Sequence, residues 1–176
     1  MKPAIFLDRD GTLNYDCPYC RNESEIRMYE DIYTPLEKLS EDYYIIIVTN
    51  QSGVGRGYFS LEDMKRMNDK VRREIEFEGG RVDAIYSCPH KPEDNCTCRK
   101  PKTGLIDQAL KDFDIDLSGS FFIGDDDKDM ILAKRMGIKS ICVRRRGNEV
   151  PDFYAEDFYE ALKIIEEYQK SGFYGD

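Results

Sequence analysis

The chain of 176 residues carries 26 Lys and Arg against 35 Asp and Glu, a formal net charge of −9, and 40% of its residues are hydrophobic. That composition excludes a disordered chain, and at this length roughly 70% of the unfolded surface can be buried, enough for a core. The acidic excess argues against general nucleic-acid binding, which needs Lys and Arg against phosphates, and no stretch reaches the ~20 apolar residues of a membrane helix.

Taken in chain order, Ala4–Leu7 reads as a first strand. Met1-Lys2-Pro3 runs into it without a signal-peptide pattern, so a cytoplasmic protein is expected. Residues 32–41 read as a short helix, and residues 44–49 as a β-branched strand buried on both faces. Ser60 with Asp63 makes a capping-box start, after which Leu61, Met64, Met67, Val71 and Ile75 recur at helical spacing until Glu78-Gly79-Gly80. Residues 82–87 read as a strand, 104–113 as a helix, 120–123 as a strand and 128–136 as a helix ended by Gly137. Residues 140–143 read as a strand, and a last helix is expected near 157–169. Strands alternating with helices predict an α/β fold, a Rossmann-like three-layer sandwich around a mainly parallel sheet. Residues 1–176 are expected to form a single domain, and the intervals between strands are too short to hold more than a minimal cap.

In such sheets a ligand lies at the carboxyl ends of the strands. Asp8 and Asp10 follow the first strand, Thr49-Asn50-Gln51-Ser52-Gly53 end the second, and Gly124-Asp125-Asp126 end the strand at 120–123. Three carboxylates form a hard oxygen cluster suited to Mg²⁺, which leaves one Asp to attack phosphorus and another to move protons. An acidic turn is the competing reading of Asp-x-Asp-Gly alone. Ser52, Gly53, Gly55 and Gly57 offer backbone N–H groups to a phosphate. Lys100 offers a point charge and Arg99 a fork of donors; a solvated basic turn is the alternative for Arg99-Lys100-Pro101.

Six cysteines accompany a single histidine. Cys88, His90, Cys96 and Cys98 supply three thiolates and one imidazole, a complete tetrahedral set for a structural Zn²⁺ in a loop at about 88–98. Disulfides or a redox switch compete with that reading. Cys17-x-x-Cys20 is expected to be a pair of reduced thiols near the substrate pocket, with a redox-active pair, or half of a second metal site completed where two chains meet, as the alternatives, and Cys142 a core residue. The aromatic tail (Phe153, Tyr154, Phe158, Tyr159, Tyr168, Phe173, Tyr174) reads as a packed terminal helix, with an oligomer surface as the alternative; a monomer is expected.

The ordered set Asp8-x-Asp10-Gly11-Thr12, Thr49, Lys100 and Gly124-Asp125-Asp126-x-x-Asp129 resembles the motifs of the haloacid dehalogenase superfamily of phosphatases. Phe6 to Asn14, Val48 to Gly53, and Cys88-Pro-His90 with Cys96 to Pro101 are similar to a narrower group, the heptose bisphosphate 7-phosphatases and the histidinol-phosphate phosphatase domains. The resemblance implies that Asp8 is the nucleophile, Asp10 the general acid and base, and Thr49 and Lys100 the groups that stabilise the phosphoryl. It places Mg²⁺ on Asp8, Asp10 and Asp125, and a small phosphorylated sugar against Asp16, Tyr19, Asn50, Gln51, Ser52 and Arg99. Removal of the 7-phosphate of a heptose bisphosphate is the favoured reaction. Histidinol phosphate, a nucleic-acid 3′-phosphate and an inactive binding module are the alternatives. Two features depart from the pattern: the pair of cysteines at 17 and 20, and Asp126, where the heptose phosphatases carry a lysine.

Overall fold

The structure is a computed structural model that describes residues 1–172. Six strands, β1 (Ala4–Leu7), β2 (Tyr44–Asn50), β3 (Ala84–Cys88), β4 (Phe121–Gly124), β5 (Lys139–Val143) and β6 (Phe153–Ala155), form one sheet in the order β3-β2-β1-β4-β5-β6. Every pairing is parallel. Among the described residues, four α-helices connect successive strands as far as β5, α1 (Tyr33–Leu39), α2 (Leu61–Phe77), α3 (Gly104–Asp112) and α4 (Asp127–Met136), and α5 (Phe158–Lys170) follows β6.

Alternation along the strands sorts the side chains into two cores. Ile5, Leu7, Ile45, Ile47, Phe121 and Ile123 pack with α1, α2 and α5 on one face. Ala4, Phe6, Ile46, Val48 and Phe122 pack with α3 and α4 on the other. Both faces are therefore covered, which is why the strands are apolar throughout rather than alternating. Among the described residues no helix is long and apolar enough to cross a membrane.

The expected elements all form, with shifted ends. The first helix is shorter than 32–41, because residues 30–32 make a separate 3₁₀ turn. The strand expected at 82–87 begins at Ala84, since Asp83 turns its carboxylate back to the Ile45 N–H at 2.8 Å. It ends at Cys88, beside Asn50 of β2. β6 is an addition: three residues at the sheet edge, paired only with β5, are too few to show a period-two pattern. It takes Phe153 and Tyr154 out of the expected helix. Phe158 is buried and Tyr168 packs edge-on against Phe121 and Phe153 at 5.5 and 6.2 Å, as a packed terminal helix requires. Phe173 and Tyr174 lie outside the described residues.

Candidate active site

β1 and β4 are neighbours, so Asp8 and Asp125, each one residue beyond its strand, meet at the point where the strand order reverses. Asp129 joins them from the first turn of α4, and the three carboxylates each bring an oxygen within 4.8 Å of the others. Burial, and then the charge of Asp8, push Asp125 up to about 8. Burial and Asp8 also raise Asp129 to about 7, against the pull of Lys100. Hard oxygen donors that repel one another in a buried site fit a divalent cation such as Mg²⁺. Gly11 closes the turn behind them at φ 80°, and a Cβ there would lie 2.2 Å from Asp125 Oδ2. Thr12 donates its hydroxyl to Asp125 Oδ1 at 3.1 Å.

Lys100 is the counter-charge. Its Nζ lies 2.8 Å from Asp8 Oδ1 and 2.7 Å from Asp129 Oδ1, and the side chain is only 4% exposed. Burial alone would lower its pKa, but Asp129 and Asp8 outweigh that and hold the ammonium charged. Asp129 is a site residue that the sequence reading quotes as part of a motif without giving it a role. Its place three residues after the Asp126 cap marks it equally well as one half of a capping box, which it also is.

Asp10 is held differently from its neighbour. Its Oδ1 accepts from Arg9 Nε and Nη2 and from Asn14 Nδ2, and its Oδ2 from Gln51 Nε2, at 2.9 to 3.1 Å. Burial raises its pKa, yet the Arg9 charge and these hydrogen bonds outweigh burial and keep it below the ordinary carboxylate value. The sequence reading also assigns Asp10 to the cation; in the structure its carboxylate faces these four donors and stands outside the Asp8–Asp125–Asp129 trio. Arg9 itself is buried, its other arm on Asn68.

Two clefts open on either side of Asp10. A cleft of about 160 Å³ is lined by Asp8, Asp10, Lys100, Asp125 and Asp129, and at its rim by Lys128 and Arg145. Arg145 Nη2 stands 3.9 Å from Asp126, so the position that departs from the lysine pattern faces a cation from another loop. A second cleft, of about 280 Å³, is lined by Cys17, Pro18, Tyr19, Gln51, Ser52 and Phe59; Asp10, Asp16 and Asn50 border both. Asp16, Tyr19, Asn50, Gln51 and Ser52 thus gather at the clefts as expected. Gln51 is nonetheless occupied by Asp10 and by the Thr49 hydroxyl at 2.9 Å, and Asn50 by the Lys100 backbone. Thr49 is buried behind these residues and lines neither cleft. Arg99 lines neither cleft and donates to the His90 carbonyl at 3.4 Å.

Cys88, His90, Cys96 and Cys98 converge at the end of β3. Cys98 Sγ is 2.8 Å from Cys88 Sγ, Cys96 Sγ 3.6 Å from Cys88 Sγ, and His90 Nδ1 3.3 Å from Cys98 Sγ. Sulfur and nitrogen donors crowded to this degree can share one ion with bonds of about 2.0–2.3 Å. Cys17 and Cys20 correct the sequence reading: they are joined as a disulfide, because the tight turn between them brings their Cα atoms to 5.4 Å. Cys142 is buried in the sheet, as expected.

The chain as a whole is similar to known proteins. A family model described as HAD-hydrolase-like matches residues 97–161. A Thermoplasma acidophilum protein named "Probable D-glycero-D-manno-heptose-1,7-bisphosphate 7-phosphatase" is 50% identical over 77% of this chain and 86% of its own length. The D-glycero-beta-D-manno-heptose-1,7-bisphosphate 7-phosphatase of Helicobacter pylori is 40% identical over 92% of this chain and 96% of its own. A crystal structure of D,D-heptose 1,7-bisphosphate phosphatase from B. bronchiseptica, complexed with magnesium and phosphate, superposes with a TM-score of 0.85 at 30% identity, covering 96% of this chain and 99% of that one. With its fold and its sequence both matching theirs, the chain belongs to the haloacid-dehalogenase-like phosphatases, in the heptose bisphosphate phosphatase family.

Proposed function

We propose that the protein removes the 7-phosphate of D-glycero-D-manno-heptose 1,7-bisphosphate through an aspartyl-phosphate on Asp8. The observation that carries this reading is Lys100 Nζ, which grips Asp8 Oδ1 at 2.8 Å and leaves the second carboxylate oxygen to attack. Mg²⁺, held by Asp8 and Asp125 beside Asp129, would offset the repulsion among the carboxylates and part of the phosphate charge. Asp10, anionic in the free site, takes up a proton from solvent as the negative charge of the phosphate arrives, and hands it to the leaving oxygen as the P–O bond to the sugar breaks. The anionic Asp10 then takes a proton from the water that attacks the aspartyl-phosphate, and Arg9, Asn14 and Gln51 favour that anionic form. No histidine enters the reaction, because His90, the only one in the chain, lies in the Cys/His cluster.

We infer further that this cluster holds Zn²⁺ in a structural role, with no open position for substrate, and that the chain works as one domain. Phosphate release is to be followed from both anomers of the heptose bisphosphate, from histidinol phosphate and from a 3′-phosphorylated oligonucleotide. Preference for a heptose bisphosphate, abolished in Asp8→Asn, supports the reading; preference for histidinol phosphate replaces it. Less than about half an equivalent of zinc in active protein removes the zinc assignment.

A further inference from the structure

We propose that the Cys17–Cys20 disulfide is a positioning element of the second cleft, holding Tyr19 and Asp16 where the leaving group binds, so that substrate affinity depends on its oxidation state. The proposal rests on the functional reading above only in assigning that cleft to the leaving group.

The loop has the geometry of a built wall. Cys20 is 5% exposed and packs into the core on the α1, α2 and α5 face, with Cys17 against the same core. The Cys20 N–H donates to the Cys17 carbonyl at 3.1 Å, which closes the turn on the backbone as well. Tyr19 lies inside this ring at φ 59°, in the left-handed region that a residue with a Cβ rarely enters. Such a conformation persists only where its surroundings over-determine it, and here the two flanking residues are tied to each other and one of them is buried. The result is an exposed aromatic ring at the cleft mouth, edge-on to Tyr58 at 4.7 Å and under the Arg56 guanidinium at 5.9 Å. The Cys17 and Cys20 side chains themselves line the cleft beside Gln51, Ser52 and Phe59. None of the hydrogen bonds that hold Asp8, Lys100, Asp125 or Asp129 passes through this loop. Opening the ring should therefore loosen recognition and leave the reacting centre in place.

Reduction breaks the Sγ–Sγ bond. A dithiol supplies two electrons and two protons, becomes a disulfide itself, and leaves Cys17 and Cys20 as thiols.

The test compares zinc-replete protein before and after a small dithiol, with alkylation and mass mapping of the two cysteines. KM and kcat are read on whichever compound the phosphate-release screen favours, and again on an aryl phosphate too small to reach the second cleft. A wrong substrate and a wrong role for the bridge thus fail separately. Reduction should raise KM for the favoured substrate on the order of fivefold, leave kcat within about twofold, and leave both constants for the aryl phosphate unchanged. Cys17→Ser, which keeps the buried Cys20, should show the reduced KM from the start and no response to dithiol, and Tyr19→Ala should raise KM alike. If Cys17→Ser does not fold, the comparison of oxidised and reduced wild type decides alone. The proposal is overturned if the two cysteines alkylate fully without reductant, if KM does not move, if the aryl phosphate loses activity in parallel, or if Cys17→Ser still responds to dithiol.

Discussion

Asn50 and Lys100, fifty residues apart, clasp each other through two hydrogen bonds: the Lys100 N–H donates to Asn50 Oδ1 at 2.9 Å, and Asn50 Nδ2 donates to the Lys100 carbonyl at 3.2 Å. The last residue of β2 thereby fixes the backbone of the lysine whose Nζ holds Asp8. Asn50→Ala should lower kcat about 10- to 100-fold with KM within about twofold, because a small displacement of a catalytic group costs rate rather than uniform binding. Steady-state kinetics check this, and Asn50→Asp, which keeps the Oδ1 acceptor, should retain more activity than the alanine variant.

Lys100 also balances charge. Lys100→Met would leave Asp8 and Asp129 buried without their shared cation, and breaking a buried pair costs about 3–5 kcal/mol. The expected outcome is a loss of turnover on the order of a thousandfold. A lowered denaturation midpoint in EDTA should accompany it, and added Mg²⁺ should recover part of that midpoint.

Gly11 permits the turn that brings the carboxylates together. Gly11→Ala would place a Cβ 2.2 Å from Asp125 Oδ2 on a backbone at φ 80°. The variant should lose about 1–3 kcal/mol of stability and need more Mg²⁺ for half-maximal activity. Denaturant titration and a Mg²⁺ titration of activity measure the two effects.

The Cys/His cluster ends two residues before Lys100, and Lys102 donates its Nζ to the Cys96 carbonyl at 2.6 Å. Cys96→Ser should lower the zinc content, reduce Tm by more than about 4 °C, and lower kcat through the displaced lysine. Metal analysis beside calorimetry and kinetics tests the chain of cause. Full activity in zinc-free protein would break it.

The carboxylates at 8 and 125 are readable from the sequence because each follows an apolar strand, and parallel sheets collect such ends on one edge. The three cysteines and the histidine that cluster between 88 and 98 are readable because their spacing is local. Asn50 reads as a substrate contact because nothing in its neighbourhood reveals a bond to a backbone fifty residues away. Asp129 hides behind its capping role for the same reason, its other partner being Lys100. Arg99 sits next to a site residue in sequence, yet the chain direction after Cys98 turns its side chain toward His90. The Cys17–Cys20 bridge is open to either reading at the level of a C-x-x-C motif; only the turn that joins them decides it.

The sheet order has a consequence for how the molecule opens. β1, flanked by β2 and β4 and covered on both faces, carries Asp8 at its end, whereas residues 15–19 ride on the surface around the second cleft. Amides of residues 4–8 should therefore exchange with solvent deuterium only in the rarest global openings, and those of Asp16, Cys17 and Tyr19, which lie at the surface, much sooner without any such opening. Chemistry would then remain available on a rigid floor while the chain around it is free to vary in what it accepts.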